Sequence, residues 1–254
     1  MKKLSALLFI TLLAAFLTAC GNENTEKDSN AEKAENSQSE ENKSTDPPAK
    51  DDVSDVELTV DAEKTYLWKA SSGETQLSYY TKVVNESDKP VDASNAAIAF
   101  NNKDNGQKIA LDDSEITITP YIIAPGNSAF ISVQQSGVDL DTDTPISAEL
   151  QANLTPAEKS ADYADVDYIN VGMGDTGLVL EGEISNPSLE SVTGKFEVVS
   201  ALYNGQEFLG TMNTSVDATL PPKVPIGFKI TEPPFPDVAL EKIDSYEALV
   251  YIIR

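Results

Sequence analysis

The chain of 254 residues sets 42 Asp+Glu against 18 Lys+Arg, a formal net charge of −24, which disfavours a role that needs clustered cations on nucleic acid. It contains no His and a single Cys, so His-based triads, His metal ligands, internal disulfides and Cys-rich zinc sites are all excluded. Hydrophobic residues make up 40%, enough for the core of one or two domains.

The N-terminal segment reads as an address. Lys2 and Lys3 precede an apolar run, Leu4 to Leu17, broken only by Ser5 and Thr11, and Leu17-Thr18-Ala19-Cys20 follows. A positive start, a short apolar core and small residues beside a cut site are the parts of a secretory signal peptide. The run is shorter than the roughly 20 apolar residues a membrane-spanning helix needs.

Leu17-Thr18-Ala19-Cys20 resembles the lipobox of bacterial lipoproteins: an aliphatic residue, two small residues and an obligatory Cys. The resemblance implies that residues 1–19 are removed, that Cys20 becomes the first residue, and that its thiol carries a diacylglyceryl group through a thioether. Two acyl chains act together as a stable anchor, at about 0.8 kcal/mol per buried CH₂. The alternative is an ordinary secretory peptide, or an uncleaved anchor, with an incidental Cys. On the lipoprotein reading the protein is held by lipid at the outer face of the bacterial cytoplasmic membrane. Gly21 gives no inner-membrane retention signal, so a Gram-negative cell would send it to the outer membrane; the long acidic tether resembles Gram-positive lipoproteins, the favoured setting.

Residues 20–55 form that tether. From residue 21 to 55 there are eleven Asp/Glu, four Lys, and only Ala31, Ala34, Ala49 and Val53 as apolar side chains. Such a composition buries too little apolar area to offset the entropy of ordering, so a disordered spacer is expected. A flexible coil of this length spans about 30–35 Å.

From Val56 the texture changes to short runs of alternating apolar and polar residues, bounded by Gly, Pro, Asn and Asp. Val56 to Val60, Leu77 to Val83 and Glu115 to Thr119 all show the two-residue period of half-buried strands. No segment carries a helical stripe across fifteen residues. Thr155-Pro156 could open a short helical turn, with Thr155 as N-cap and Pro156 in the first helical position.

An internal repeat organises this region. Gly73 to Leu77 matches Gly174 to Leu178, and Val83, Asn85, Ser87 and Val91 match Ile184, Asn186, Ser188 and Val192, all at an offset of 101. Asn105-Gly106-Gln107 matches Asn204-Gly205-Gln206 at 99, and Pro125 and Val133 match Pro222 and Ile230 at 97. The drift fits small loop deletions. The predicted fold is all-β: two tandem small immunoglobulin-like β-sandwich domains, 56–155 and 165–254, after a signal peptide and a disordered tether.

In the second copy Gly182, Ile184, Asn186, Ser188, Phe196, Val198, Leu202 and Tyr203 resemble the pattern of the FxLYD-type domain of bacterial surface lipoproteins. Asn204 stands where that pattern has Asp, and the first copy lacks the Leu-Tyr pair. The resemblance covers about 50 residues, implies an immunoglobulin-like sandwich and carries no catalytic residues.

Several groups of residues are candidates for chemistry. Asp139, Asp141 and Asp143 alternate in one loop and could offer hard oxygens to Ca²⁺, although no Gly at the sixth and no Glu at the twelfth position completes an EF-hand; a solvated acidic loop is the favoured explanation. Asp112-Asp113 and Asp165-Val166-Asp167 are possible acid/base pairs, in a chain acidic enough for such pairs to arise freely. Gly172-x-Gly174-x-x-Gly177 precedes a strand rather than a helix, which suits a turn and not a phosphate loop. Trp68, with Tyr66, Tyr79 and Tyr80, forms the one aromatic cluster, either sandwich core or an exposed binding patch.

These observations lead to an expected function: a non-enzymatic, lipid-anchored cell-surface protein that presents two β-sandwich modules to an envelope or extracellular protein partner. The membrane is met through the anchor alone, nucleic acid is not a partner, and no cofactor is expected beyond the lipid on Cys20. The alternative is an extracytoplasmic ligand- or calcium-binding lipoprotein using acidic loops such as Asp139 to Asp143.

Overall fold

Alternation in the sequence becomes alternation in burial. In a computed structural model of the chain, which describes residues 56–253 apart from 71, 112–114, 152, 175–176 and 233–239, Leu178, Leu180 and Ile184 are buried while Glu181 and Glu183 face solvent. The fold is all-β, as expected. Among the described residues there is no α-helix, only one 3-10 turn at Leu240–Lys242.

The first repeat contains β1 (Leu58–Lys69), β2 (Thr75–Asn85), β3 (Val91–Asp92), β4 (Ala97–Asn102), β5 (Lys108–Ile109), β6 (Glu115–Thr119), β7 (Ile122–Ile123), β8 (Ser128–Ser136), β9 (Ile146–Gln151) and β10 (Thr155–Pro156). They form a four-stranded sheet β1-β2-β8-β6, a three-stranded sheet β5-β4-β9 and a short ribbon β10-β3-β7. The second repeat contains β11 (Asp162–Met173), β12 (Leu178–Ser185), β13 (Val192–Asn204), β14 (Glu207–Leu220), β15 (Ile226–Glu232) and β16 (Ser245–Ile253), ordered β14-β13-β16-β11-β12-β15. Strand β11 serves two neighbours: Asp162–Ala164 pair with β16, and Asp165–Met173 pair with β12. All the pairings between named strands are antiparallel and stay within one repeat.

The helical turn expected at Thr155-Pro156 is instead β10, whose Thr155 and Pro156 face Asp92 and Val91. The Ala157 amide donates to the Pro90 carbonyl at 2.8 Å, so lateral pairing across the chain overrides the local capping signal. Pro is tolerated there because β10 is the outer strand of its ribbon.

The repeat is legible in hydrogen bonds. Asn85 and Asn186 are both buried, Asn85 as the last residue of β2 and Asn186 directly after β12. The Asn85 side-chain amide donates to the carbonyls of Lys89 (2.8 Å) and Ile123 (2.9 Å), and its carbonyl accepts from the Ser87 amide (3.0 Å). The Asn186 amide donates to Glu190 (2.7 Å) and Leu220 (2.9 Å), and its carbonyl accepts from Ser188 (2.9 Å). Both copies also carry a β-bulge at matching places in the first hairpin, between Val60 and Ala62 and between Val166 and Tyr168, with Asp61 and Asp167 as the extra residues. Gly106 and Gly205 sit at positive φ (69° and 60°) in the two Asn-Gly turns.

Residues Asp52–Arg254 pack as one compact unit. The first repeat has its own core, including Leu77, Tyr79, Phe100 and Val133, beside a second cluster with Val83, Ile123 and Ile131. The second repeat has a larger core built on Leu180, Phe196, Leu202 and Met212, and Tyr66, Tyr80 and Phe130 of the first repeat belong to that same cluster. The copies are therefore separate in strand pairing and joined in packing.

Candidate functional site

The aromatic cluster falls on two sides of one strand. Successive residues of a strand point to opposite faces, so Tyr79 enters the core of the first repeat, edge-on to Phe100 at 5.5 Å, while Tyr80 turns to the second repeat with Tyr66, 6.3 Å away. Phe130 stacks on Phe208 at 6.5 Å. The Tyr66 hydroxyl donates to the Leu209 carbonyl at 2.7 Å, and Tyr121 meets Tyr251 edge-on at 5.6 Å. Trp68 packs partly buried against the same cluster. These aromatics are core rather than an exposed patch, but part of that core lies between the copies.

Charge completes this junction. Lys82 lies 2.8 Å from Glu247 and 3.7 Å from Asp61, and Lys64 pairs with Glu207. Burial pulls the Lys82 ammonium down, but the hydrogen bond and charge of Glu247 more than offset this and hold it above its ordinary value. Burial raises the Tyr203 phenol, which hydrogen-bonds Glu247 at 3.3 Å. Burial also raises Tyr79, helped by its hydrogen bond to Glu63. Sequence reasoning missed this set. Its one signal is Lys82, a cation inside an otherwise apolar run that opens on a Tyr pair.

The acidic loop lies at one end of the first repeat, with Asp139, Asp141 and Asp143 all exposed. A cleft of about 460 Å³ runs along one side, lined by Lys69, Thr75, Asp139 and Asp141. Its wall is tied together by Thr75, whose hydroxyl accepts from the Lys69 ammonium at 2.7 Å and donates to the Leu140 carbonyl at 2.9 Å. A second cleft of about 350 Å³ lies against Asn102, Lys108 and Ile109 and shares Asp139. Among the described residues no three acidic, His or Cys side chains converge as a metal cage, and the three loop carboxylates are not brought together.

A third cleft, of about 370 Å³, opens between β1 and β9. Leu67, Ile146 and Ala148 are the apolar part of its lining, together with Lys103, Thr142 and Thr144. Strands β1 and β9 are each outermost in their sheets.

The remaining sequence candidates separate. Asp165 and Asp167 are exposed on β11. In the glycine string, the Gly174 amide donates to the Gly177 carbonyl at 2.8 Å and β12 follows, the turn between strands expected from context. A Cβ on Gly174 would stand 2.6 Å from a Val179 methyl, which explains Gly there. Asp112-Asp113, Cys20 and the acidic tether lie outside the described residues. No family model, curated protein or solved structure matches the chain. Fold and site together define an all-β, sandwich-like protein.

Proposed function

We propose that the chain is a lipid-anchored bacterial cell-surface protein that presents its two β-sandwich repeats as a non-enzymatic interaction module outside the cytoplasmic membrane. One observation carries the reading: the sole Cys of the chain, Cys20, stands directly after Leu17-Thr18-Ala19, behind a short apolar run and ahead of a long acidic tether. Every part of that series is what an exported, acylated and spaced protein requires. The β unit supports the second half of the proposal, since its two repeats pack together through shared aromatics. Of the residues that resemble the FxLYD pattern in the second copy, Ile184, Phe196, Val198 and Leu202 are fully buried, which supports a structural pattern rather than a catalytic one.

Mass spectrometry of the mature protein from a bacterial host tests the anchor. The expected N-terminus is Cys20 bearing a diacylglyceryl group, and Cys20→Ser releases the protein to the soluble fraction. A mature chain that starts elsewhere and carries no fatty acid overturns the proposal.

A further inference from the structure

We infer that the outer corner of the second repeat, where Leu189 and Val224 stand exposed, seats in the surface of a phospholipid bilayer. The inference rests on the lipid-anchored reading above and deepens it, naming the face of the β unit that meets the membrane.

The argument starts from the two matched corners. In the second copy the loop after Asn186 and the turn after Leu220 are pinned to one residue. The Asn186 side-chain amide donates to the Glu190 and Leu220 carbonyls, and the Asn186 backbone carbonyl accepts from the Lys223 amide. Leu189 on the loop is 83% exposed and Val224 on the turn 52%. The repeat offsets give Asp88 and Asn127 as their counterparts, and Pro187 and Lys223 beside them stand where the first copy has Glu86 and Gly126. The frame is the same, but the outward side chains are polar in the first copy and apolar, with one cation, in the second. Single exposed apolar residues are ordinary; two on segments held by the same buried Asn make a surface that serves neither core.

What this surface meets follows from where the chain enters. The segment after Cys20 leads into β1, whose Leu58 pairs with Asn85, so the tether reaches the fold at the first corner. Contacts between the repeats give the direction of the second corner. Lys64 meets Glu207 and Lys82 meets Glu247, both toward the Asn204-Gly205 end of the second repeat. Tyr121 precedes β7, whose Ile123 carbonyl is held by Asn85, and it meets Tyr251. Tyr251 pairs with Glu197, nearer the start of β13 at Val192 than Ala201, the partner of Glu247. Moving toward the first corner in one repeat is therefore moving toward the second corner in the other, and both lie toward the same end. A bilayer that holds Cys20 draws in that end. With a net charge of −24 the protein has no broad attraction to a lipid surface, so contact falls to the apolar corner, where Lys223 can reach headgroup phosphates.

The sole Cys lets the anchor be supplied chemically. The chain from Cys20 onward is coupled through that thiol to maleimide-phosphatidylethanolamine in vesicles of phosphatidylcholine with a minor share of phosphatidylglycerol, and to a soluble maleimide as reference. Hydrogen exchange in segments 187–190 and 223–226 should slow about threefold or more on the vesicles. Leu189→Ser combined with Val224→Ser should remove the slowing and leave the thermal midpoint unchanged, both side chains being exposed. Met173→Ser, also exposed but at the opposite end of the β11–β12 hairpin, should leave the slowing intact. In Leu189→Trp, brominated phosphatidylcholine should quench the added tryptophan beyond the Trp68 background of the parent chain. The slowing should persist in high salt, because screening acts on charges and not on apolar contact. No slowing, slowing that salt abolishes, or slowing that the double substitution leaves in place overturns the inference. Slowing in the soluble reference that grows with protein concentration would give the corner to a second copy and equally overturn it. Because the maleimide lipid replaces the natural one, these outcomes are read separately from the mass of the mature N-terminus, which judges the anchor.

Discussion

In the first repeat β5 ends at Ile109 and the chain resumes at Glu115 as β6 on the other sheet, alongside β8. The matching stretch of the second repeat, Thr214 to Ala218, never leaves β13, because β14 runs unbroken from Glu207 to Leu220. The sequence difference is local: Leu111-Asp112-Asp113-Ser114 interrupts the first run with turn formers, whereas Thr211-Met212-Asn213 continues the second. One consequence is that β8 has strands on both sides while β15 has one. The lesson is that related halves can hold one corner fixed and vary the flanks. The fixed corner is the buried Asn with the three hydrogen bonds common to both copies; the flanks decide which edges remain open.

The shared junction is the first place to break the comparison. Phe208 belongs to the second repeat but stacks on Phe130 of the first, 6.5 Å away, and also touches Tyr203 at 5.6 Å. Phe208→Ala should cost about 3–5 kcal/mol, the range for a buried Phe. The denaturant transition should remain single, with tyrosines of both repeats exposed together. Two separated transitions would mean that the copies unfold as independent domains.

The paired corners sharpen it. Asn85→Ala and Asn186→Ala each strip a hydrogen bond from one buried carbonyl, of Ile123 or Leu220, and one from an exposed residue, Lys89 or Glu190, and each should lose about 2–3 kcal/mol. Urea melts of the two variants should agree closely, since the partners are the same by position. A large difference between them would show that the corners are alike in geometry but not in energy.

The smallest effect tests the turn after that corner. Gly126 has φ 72°, natural for Gly; its counterpart Lys223 has φ 58°, the only non-Gly residue with positive φ among those described. The turns match in hydrogen bonding too: the Gly126 amide donates to the Asn85 carbonyl at 2.9 Å, and the Lys223 amide to the Asn186 carbonyl at 3.4 Å. A left-handed L-residue costs about 1 kcal/mol, so Lys223→Gly should stabilise the protein by up to that amount and Gly126→Ala should destabilise it by a similar one. Thermal melts read both signs, and equal signs would refute the correspondence.

The sequence carried the all-β class, the repeat offsets and the strand-to-strand turn at Gly174, because these depend on alternation and on turn residues within a few positions. Thr155-Pro156 misled, since a capping signal is local while the pairing of β10 with β3 joins residues more than sixty positions apart. Tyr79 and Tyr80 show the same boundary. Alternation alone puts them on opposite faces, but only the approach of Phe208 and Leu209 makes the second face a buried one. The groove between β1 and β9 belongs to the tertiary structure entirely. Leu67 of one sheet and Ile146 and Ala148 of the other line it, residues far apart in the chain that only packing brings together.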